Sequence, residues 1–278
     1  MTCQVKCKVS TVMRRSNSRV RLERSPLVYF LAQVRFADIL ALRDRLPAVQ
    51  DKLRHSGFPV FNRAIVKVVN VKIGSQMPEI EDREVWHFNN IDADHGIVLS
   101  RDFVTLHSTR YQQFELMLEL FQTALEKIHS VAQIDVFQRC GLRYVNAISP
   151  APGQDYGTYL RPGVIGISSI MTDVEPIAQN IMFAGKTNCG TLVVRFVTGA
   201  SPNIMPPDLV PLTLNLPAVI PAGTPVGTLD LDHFTERQEV FSVEQTLQQL
   251  VALHDGCWDA FNSCVTADGL RHWGKRDV

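Results

Sequence analysis

The order of the periodic segments constrains the fold of this chain more than any other feature. In the first half, segments that alternate apolar and polar residues and segments with helical spacing follow the order strand, helix, three or four strands, helix, strand. Strict alternation of strands and helices would indicate a doubly wound parallel sheet, and this order departs from it. The predicted fold class is therefore α+β, with mixed or mainly antiparallel sheets packed by long amphipathic helices.

The clearest helix is predicted at 111–132, and the strand after it at 135–148. Side chains of a strand alternate between two faces, so Tyr144 and Asn146 share one face while Arg143 points to the other. We expect this strand to be central in its sheet. The apolar residues of the helix recur at intervals of three to four, as Phe114, Leu118, Phe121, Leu125 and Ile128.

The remaining elements are predicted from the same two periodicities. Further strands are predicted at 27–36, 63–73, 84–91 and 96–110, and beyond residue 157 at 164–169, 176–184, 190–197, 210–215 and 227–231. Helices are predicted at 39–55, 243–264 and 267–273. Ser242 and Thr266 are the predicted N-caps of the last two helices.

A stretch rich in Pro and Gly at 149–157 marks the predicted boundary between two parts of the chain. Residues 1–25 are predicted to be a basic flexible tail, because they carry seven Lys and Arg residues against one acid. The rest divides into an N-terminal α+β half, 26–149, and a C-terminal α+β half, 158–278. Both halves end with a strand followed by a long helix, which suggests two similar halves.

Composition excludes several classes of protein. The chain has 28 basic and 28 acidic residues, which argues against a chain-wide surface for polyanions. No run approaches the roughly 18–20 apolar residues that cross a bilayer, and the N-terminus lacks the apolar core of a secretory signal. We therefore expect a cytoplasmic protein with no membrane partner.

Recognisable catalytic and cofactor motifs are missing from the sequence. It contains no phosphate-binding loop, no dinucleotide fingerprint, no zinc-protease motif and no nucleophile elbow. The six cysteines lack the paired spacing of a zinc site. We accordingly expect no cofactor and no metal, and we expect the thiols to be reduced.

The candidate catalytic residues are Asp230, Asp232, His233 and His254. On a strand, Asp230 and Asp232 face the same way and His233 faces the other. Two carboxylates on one face could hold Mg²⁺ or form an acid–base pair, but without a third ligand a solvent-facing strand end with a helix-capping aspartate is the favoured interpretation. His254 lies in the apolar stripe of its helix, where a hydrogen-bonded core histidine is the ordinary alternative to a catalytic one.

The candidate binding residues are Arg35, Arg143 and Asn146. All three are polar residues carried by predicted strands. If Arg143 lies in a central strand it needs an acidic partner, because an unpaired buried charge is strongly destabilising. Arg143 is therefore either half of a structural ion pair, for example with a helix glutamate, or an anion-binding group.

Three stretches carry a resemblance to a known family. They are 25–36, which includes Gln33-Val34-Arg35-Phe36; 141–148, which includes Leu142-Arg143-Tyr144-Val145-Asn146; and Leu229-Asp230-Leu231-Asp232-His233-Phe234, with His254-Asp255 downstream. In these stretches the chain resembles a sporadically distributed, uncharacterised prokaryotic family of about this length, over residues 24–274. The resemblance implies no activity, and the patchy distribution is typical of mobile, defence or toxin-linked genes.

Three functions follow as hypotheses. The first is a non-enzymatic binding or regulatory module that presents a sheet face or edge to a protein partner, as an accessory subunit or as a homo-oligomer. The second is a metal-dependent hydrolase or nuclease that uses Asp230 and Asp232, with His233 or His254 as base. The third is nucleic-acid binding through the basic tail.

Overall fold

Nine strands of this chain pair into one continuous sheet, and every neighbouring pair is antiparallel. The computed structural model describes residues 22–70, 79–171, 173–174, 176–199, 204–210, 212–216 and 226–275. Most of the tail predicted at 1–25 and the end of the strand predicted at 63–73 lie outside these residues. The strand order is β2-β3-β4-β5-β1-β6-β9-β8-β7.

The strands run β1 Leu27–Phe36, β2 Val60–Asn70, β3 Glu79–Asn89, β4 His95–Ser100, β5 Phe103–Ser108, β6 Val136–Ile148, β7 Gln179–Lys186, β8 Thr191–Thr198 and β9 Gly227–Val240. The α-helices are α1 Leu42–Arg54, α2 Phe114–Ala132, α3 Tyr156–Tyr159, α4 Pro162–Ile165, α5 Val243–Cys264 and α6 Ala267–His272. Short 3-10 turns cover Gly166–Ser169 and Pro207–Leu209.

The predicted fold class is wrong in its architecture. A single antiparallel sheet dominates the structure, with 38% of the described residues in strands and 33% in helices, instead of several sheets packed by long helices in two similar halves. The strands β6 and β9, which lie on opposite sides of the predicted boundary, pair from Val136 with Val240 to Ile148 with Gly227. Pairing satisfies backbone N–H and C=O groups that two separate sheet edges would expose. The division at 149–157 itself stays a prediction.

Local predictions were confirmed where short-range chemistry decides the structure. Ser242 caps α5 by accepting a hydrogen bond from the Gln245 backbone N–H, and Thr266 caps α6 by accepting one from Gly269. The strand predicted at 96–110 is the β4–β5 hairpin, in which two shorter strands pair antiparallel. The strand predicted at 164–169 is wrong, since this segment forms α4 and a 3-10 turn.

The two faces of the sheet differ in what covers them. Helix α5 lies against β6, β9 and β8, and α2 lies between α5 and α1. We call this side the helix-covered face; its buried core includes Phe30, Leu142 and Leu231. On the opposite, helix-free face, residues 204–210 and 212–216 form a capping segment that buries a small cluster around Tyr29, Val145 and Met205.

Candidate functional site

Arg143 and Asp230 form a buried ion pair on the helix-free face. The Arg143 Nε atom lies 2.8 Å from Asp230 Oδ1, and Nη2 lies 2.8 Å from Oδ2. Arg143 is 6% exposed and Asp230 3% exposed. A two-pronged contact of this kind matches the planar guanidinium to the planar carboxylate. Arg143 is therefore held as a structural cation between two central strands.

A second carboxylate completes the neutralisation of Arg143. Asp208 of the capping segment accepts a hydrogen bond from Arg143 Nη1 and another, at 3.1 Å, from Nη2. Burial acts to lower the pKa of Arg143, but the hydrogen bonds to Asp230 and Asp208 outweigh it and raise the pKa above its usual value. Arg195 on β8 adds a longer contact, with Nη1 3.7 Å from Asp230 Oδ2. The predicted ion pair of Arg143 thus forms with a strand aspartate and a loop aspartate.

Asp232 lies beside this cluster without taking part in it. It stands opposite Arg143 in the β6–β9 register and opposite Val193 in the β8–β9 register. No hydrogen bond or ion pair joins its carboxylate to another residue within the described parts of the chain. Burial raises the pKa of Asp232, while the positive charges of Arg139 and Arg143 act to lower it. Asp232 is therefore a half-buried carboxylate with spare acceptor capacity.

The side chains around Asp232 are held in place by their own contacts. The Arg139 guanidinium stacks 4.3 Å from the centre of the Phe234 ring, and its Nη1 donates to Gln33 Oε1 at 3.2 Å. Gln33 Nε2 in turn donates to Thr105 Oγ1 at 3.1 Å. These groups form a surface that we call the Asp232 patch, which consists of Leu31, Gln33, Arg139, Val193, Asp232 and Phe234. All six of its residues are partly exposed.

Arg35, a predicted binding residue, lies at the edge of this surface. It is exposed, and its Nη2 lies 3.4 Å from Asp102 Oδ2. An exposed ion pair of this kind contributes little to stability. Arg35 is therefore available to a partner, but nothing in its surroundings gives it a special role.

His233 points to the helix-covered face, away from Asp230 and Asp232. Its Nδ1 lies 2.9 Å from the Leu253 carbonyl oxygen, which only accepts, so Nδ1 carries the proton. Its Nε2 accepts from the Thr187 hydroxyl at 2.9 Å, and the Cys189 Sγ atom lies 3.6 Å away. Burial lowers the pKa of His233. His233 is a neutral, hydrogen-bonded core histidine. It lies on the opposite face of the sheet from Asp230 and Asp232, so it cannot serve as the base of a catalytic site that they form.

His254 and Asn146 line the same cavity on the helix-covered face. The His254 ring stacks on Phe114 with 3.8 Å between ring centres, and its Nδ1 lies 2.7 Å from the Tyr144 hydroxyl oxygen. Asn146 on β6 donates from Nδ2 to the Leu229 carbonyl oxygen at 3.1 Å. The cavity, of about 780 Å³, is bordered by α2, α5 and residues 22–27.

The sheet therefore separates the four candidate catalytic residues into two pairs. Asp230 and Asp232 lie on the helix-free face, whereas His233 and His254 lie on the helix-covered face.

In the described residues no group of three or more His, Cys, Asp or Glu side chains is placed to hold a metal ion. Within the same residues, no helix is long and apolar enough to span a bilayer.

Two features of this region were missed at the level of sequence. Asp208 lies in an irregular, Pro-rich segment that shows no periodicity, so no signal indicated its contact with Arg143. Gly256 does carry a signal, because a glycine inside a helix often marks a close approach. A Cβ atom at this position would lie 2.4 Å from Cε1 of His233. Gly256 thus makes room for the His233 ring.

A buried polar group on the helix-free face was also missed. The Tyr29 hydroxyl lies 3.1 Å from His107 Nδ1, beneath the capping segment. His107 Nε2 and Asn89 Oδ1 are buried without a hydrogen-bond partner. Both atoms would lie within 2.6 Å of a Cβ atom added to Gly96. Burial lowers the pKa of His107 to about 3, so the ring is neutral.

Comparison with known proteins gives no family for this chain. A scan against models of protein families finds no match, and a search of curated proteins finds none either. The structure itself defines the class of fold: within the described residues it is a nine-stranded antiparallel sheet with α2 and α5 on one face and the capping segment on the other.

Proposed function

We propose that this protein is a non-enzymatic binding or regulatory module that engages a protein partner through the Asp232 patch. The observation that carries the proposal is the Asp232 carboxylate, which is half-buried yet makes no ion pair or hydrogen bond within the described residues. A basic side chain of a partner would supply the missing cation. A charged hydrogen bond in a partly desolvated site contributes more than the same contact in water.

The surroundings of Asp232 support a protein partner. Val193 stands opposite Asp232 on β8, and Phe234 follows two positions along β9 on the same face. Leu31 lies two strands away, on the far side of Arg143, so apolar side chains flank the carboxylate at different distances as in an interface with a polar anchor. The local charge also favours a basic partner. Arg139 pairs with Glu236, Arg143 pairs with Asp208 and Asp230, and Arg195 contacts Asp230, so Asp232 is the carboxylate of this group that has no ion-pair partner among the described residues.

The biological setting rests on the resemblance alone. A sporadically distributed prokaryotic family fits an accessory or regulatory subunit of a defence or toxin-linked system. A homo-oligomer is a further form of the same proposal, in which a second copy of the chain supplies the basic side chain.

A peptide library displayed on phage and selected on the full-length protein tests the proposal. We expect the selected peptides to be enriched in Lys or Arg at one central position. We also expect Asp232→Asn to weaken their binding by about tenfold or more, the equivalent of one lost charged hydrogen bond. The matched control is Asp259→Asn, which removes the same charge from an exposed position on α5. Selected peptides without a basic preference, or equal effects of the two substitutions, would contradict the proposal.

A further inference from the structure

The cavity on the helix-covered face has the size of a small-molecule site. Its volume of about 780 Å³ falls within the range that holds drug-sized ligands. It opens between the start of α2 and the second half of α5, beside residues 22–27. Much of its wall is aromatic and is formed by Tyr111, Phe114, Tyr144, Trp258 and Phe261.

Asn146 presents a hydrogen-bond acceptor to this cavity. The Leu229 carbonyl oxygen can only accept, so the Asn146 amide nitrogen must point towards it and Oδ1 must point away. Asn146 is 4% exposed, and no described residue donates a hydrogen bond to its Oδ1 atom. An acceptor that lines a cavity and has no protein donor gains a hydrogen bond when a ligand supplies an N–H or O–H group.

The charge of the cavity wall indicates that the donor is a cation. Glu115, in the first turn of α2, contributes a carboxylate with which no described residue pairs. Arg24 contributes one guanidinium, whose Nη2 donates to the His272 carbonyl oxygen. The faces of aromatic rings are also negative and attract cations.

We propose that this cavity binds an organic cation of the size of an amino-acid side chain, carrying a guanidinium or alkylammonium group. Asn146 Oδ1 and the Glu115 carboxylate accept its hydrogen bonds, and the aromatic wall contacts its apolar stem. The site lies on the opposite face of the sheet from the Asp232 patch. The proposal of a cation site is therefore independent of the proposed function, and either can be wrong without the other.

Two sources would supply such a cation. One is a free small molecule. The other is this chain itself, because Leu22 at the cavity is preceded by a stretch that contains Arg14, Arg15, Arg19 and Arg21. The chemistry of recognition is the same in both cases, so the experiment needs one arm for each source.

In the first arm, the full-length protein is titrated with N-acetyl-arginine amide by isothermal calorimetry. The matched ligand is N-acetyl-citrulline amide, which replaces the guanidinium by a neutral urea of the same shape. We expect a dissociation constant of about 1 mM or lower for the arginine compound. The citrulline compound should bind at least about tenfold more weakly, because it lacks the charge.

Substitutions on α2 test whether the arginine compound binds in this cavity. Glu115→Gln should weaken the arginine compound by about fivefold or more, whereas Glu119→Gln, at an exposed position one turn further along α2, should leave it unchanged. Circular dichroism and thermal melting check that both variants fold. The Trp258 fluorescence should change on binding, since its ring lines the cavity.

In the second arm, Arg14, Arg15, Arg19 and Arg21 are replaced together by Gln in the full-length chain. Binding to the unsubstituted protein supports an external ligand, and binding to the Gln variant alone supports occupation by the chain's own arginines. Either result supports a cation site. Failure of both proteins to bind, equal affinity for the citrulline compound, or equal effects of Glu115→Gln and Glu119→Gln would overturn it.

Discussion

The Arg143 guanidinium and the Asp230 carboxylate meet through two parallel contacts of 2.8 Å across the central strands β6 and β9. The pair joins the part of the chain before residue 149 to the part after it. Because both side chains are almost fully buried, neither charge is compensated by water.

Asp230→Asn should lower the free energy of unfolding by about 3 kcal/mol, since it leaves a buried guanidinium with only part of its compensation. Urea unfolding monitored by fluorescence measures the effect. The matched control is Asp208→Asn, which removes the other carboxylate from a side chain that is 60% exposed. That variant should lose less than about 1 kcal/mol, because solvent screens the exposed partner. Equal losses would show that burial is not what distinguishes the two contacts.

Asp232→Asn should leave the stability unchanged or raise it, by less than about 1 kcal/mol. Burial raises the pKa of this carboxyl in the folded protein, so the charged form is disfavoured by folding at neutral pH. Any stabilisation should disappear as the pH falls and Asp232 becomes protonated. Chemical unfolding at pH 7 and pH 4 tests both statements. A large loss of stability would assign Asp232 a structural role and would weaken the proposed function.

Gly256→Ala should destabilise the protein by about 1–3 kcal/mol, because the added methyl group would clash with the His233 ring. The sign of this change in stability is informative, because alanine in a helix interior is otherwise more favourable than glycine by about 1 kcal/mol. In a background carrying His233→Ala, the same substitution should become neutral or stabilising. The double-mutant cycle measures this coupling directly. Additive effects would exclude the contact as the cause.

Acid should destabilise the protein in part through His107. Its pKa in the folded state is lowered to about 3, against an ordinary value of 6.5, because burial disfavours the charged ring. The unfolded chain therefore binds an extra proton between these two values. The corresponding stability is complete above pH 6.5 and is lost as the pH falls towards 3.

Between pH 7 and pH 4.5, the wild-type protein should lose about 2 kcal/mol more than the His107→Gln variant. Burial also lowers the pKa of His87 and His233, which act in the same direction in both proteins and cancel in the comparison. Unfolding free energies at the two pH values provide the measurement. Parallel losses in the two proteins would show that His107 is not the group that titrates.

One part of the candidate site was predictable from the sequence and another part was not. The alternation of β9 correctly placed Asp230 and Asp232 on one face and His233 on the other, because that alternation is a property of any extended chain. The partners of these residues were not predictable. Asp208 lies 65 residues after Arg143 in the sequence, and it contacts Arg143 from a short 3-10 turn in an otherwise irregular segment.

The sequence by itself determined the features that depend on neighbouring residues: the extended character of most strands, the start of α5 at Ser242 and the start of α6 at Thr266. Tertiary structure alone decided that β6 pairs with β9, so that one sheet joins the two predicted halves, and that the long helices of the described residues lie on one of its faces. The reason is physical. Periodicity and capping act over a few residues, whereas backbone N–H and C=O groups pair with any strand that long-range packing brings beside them.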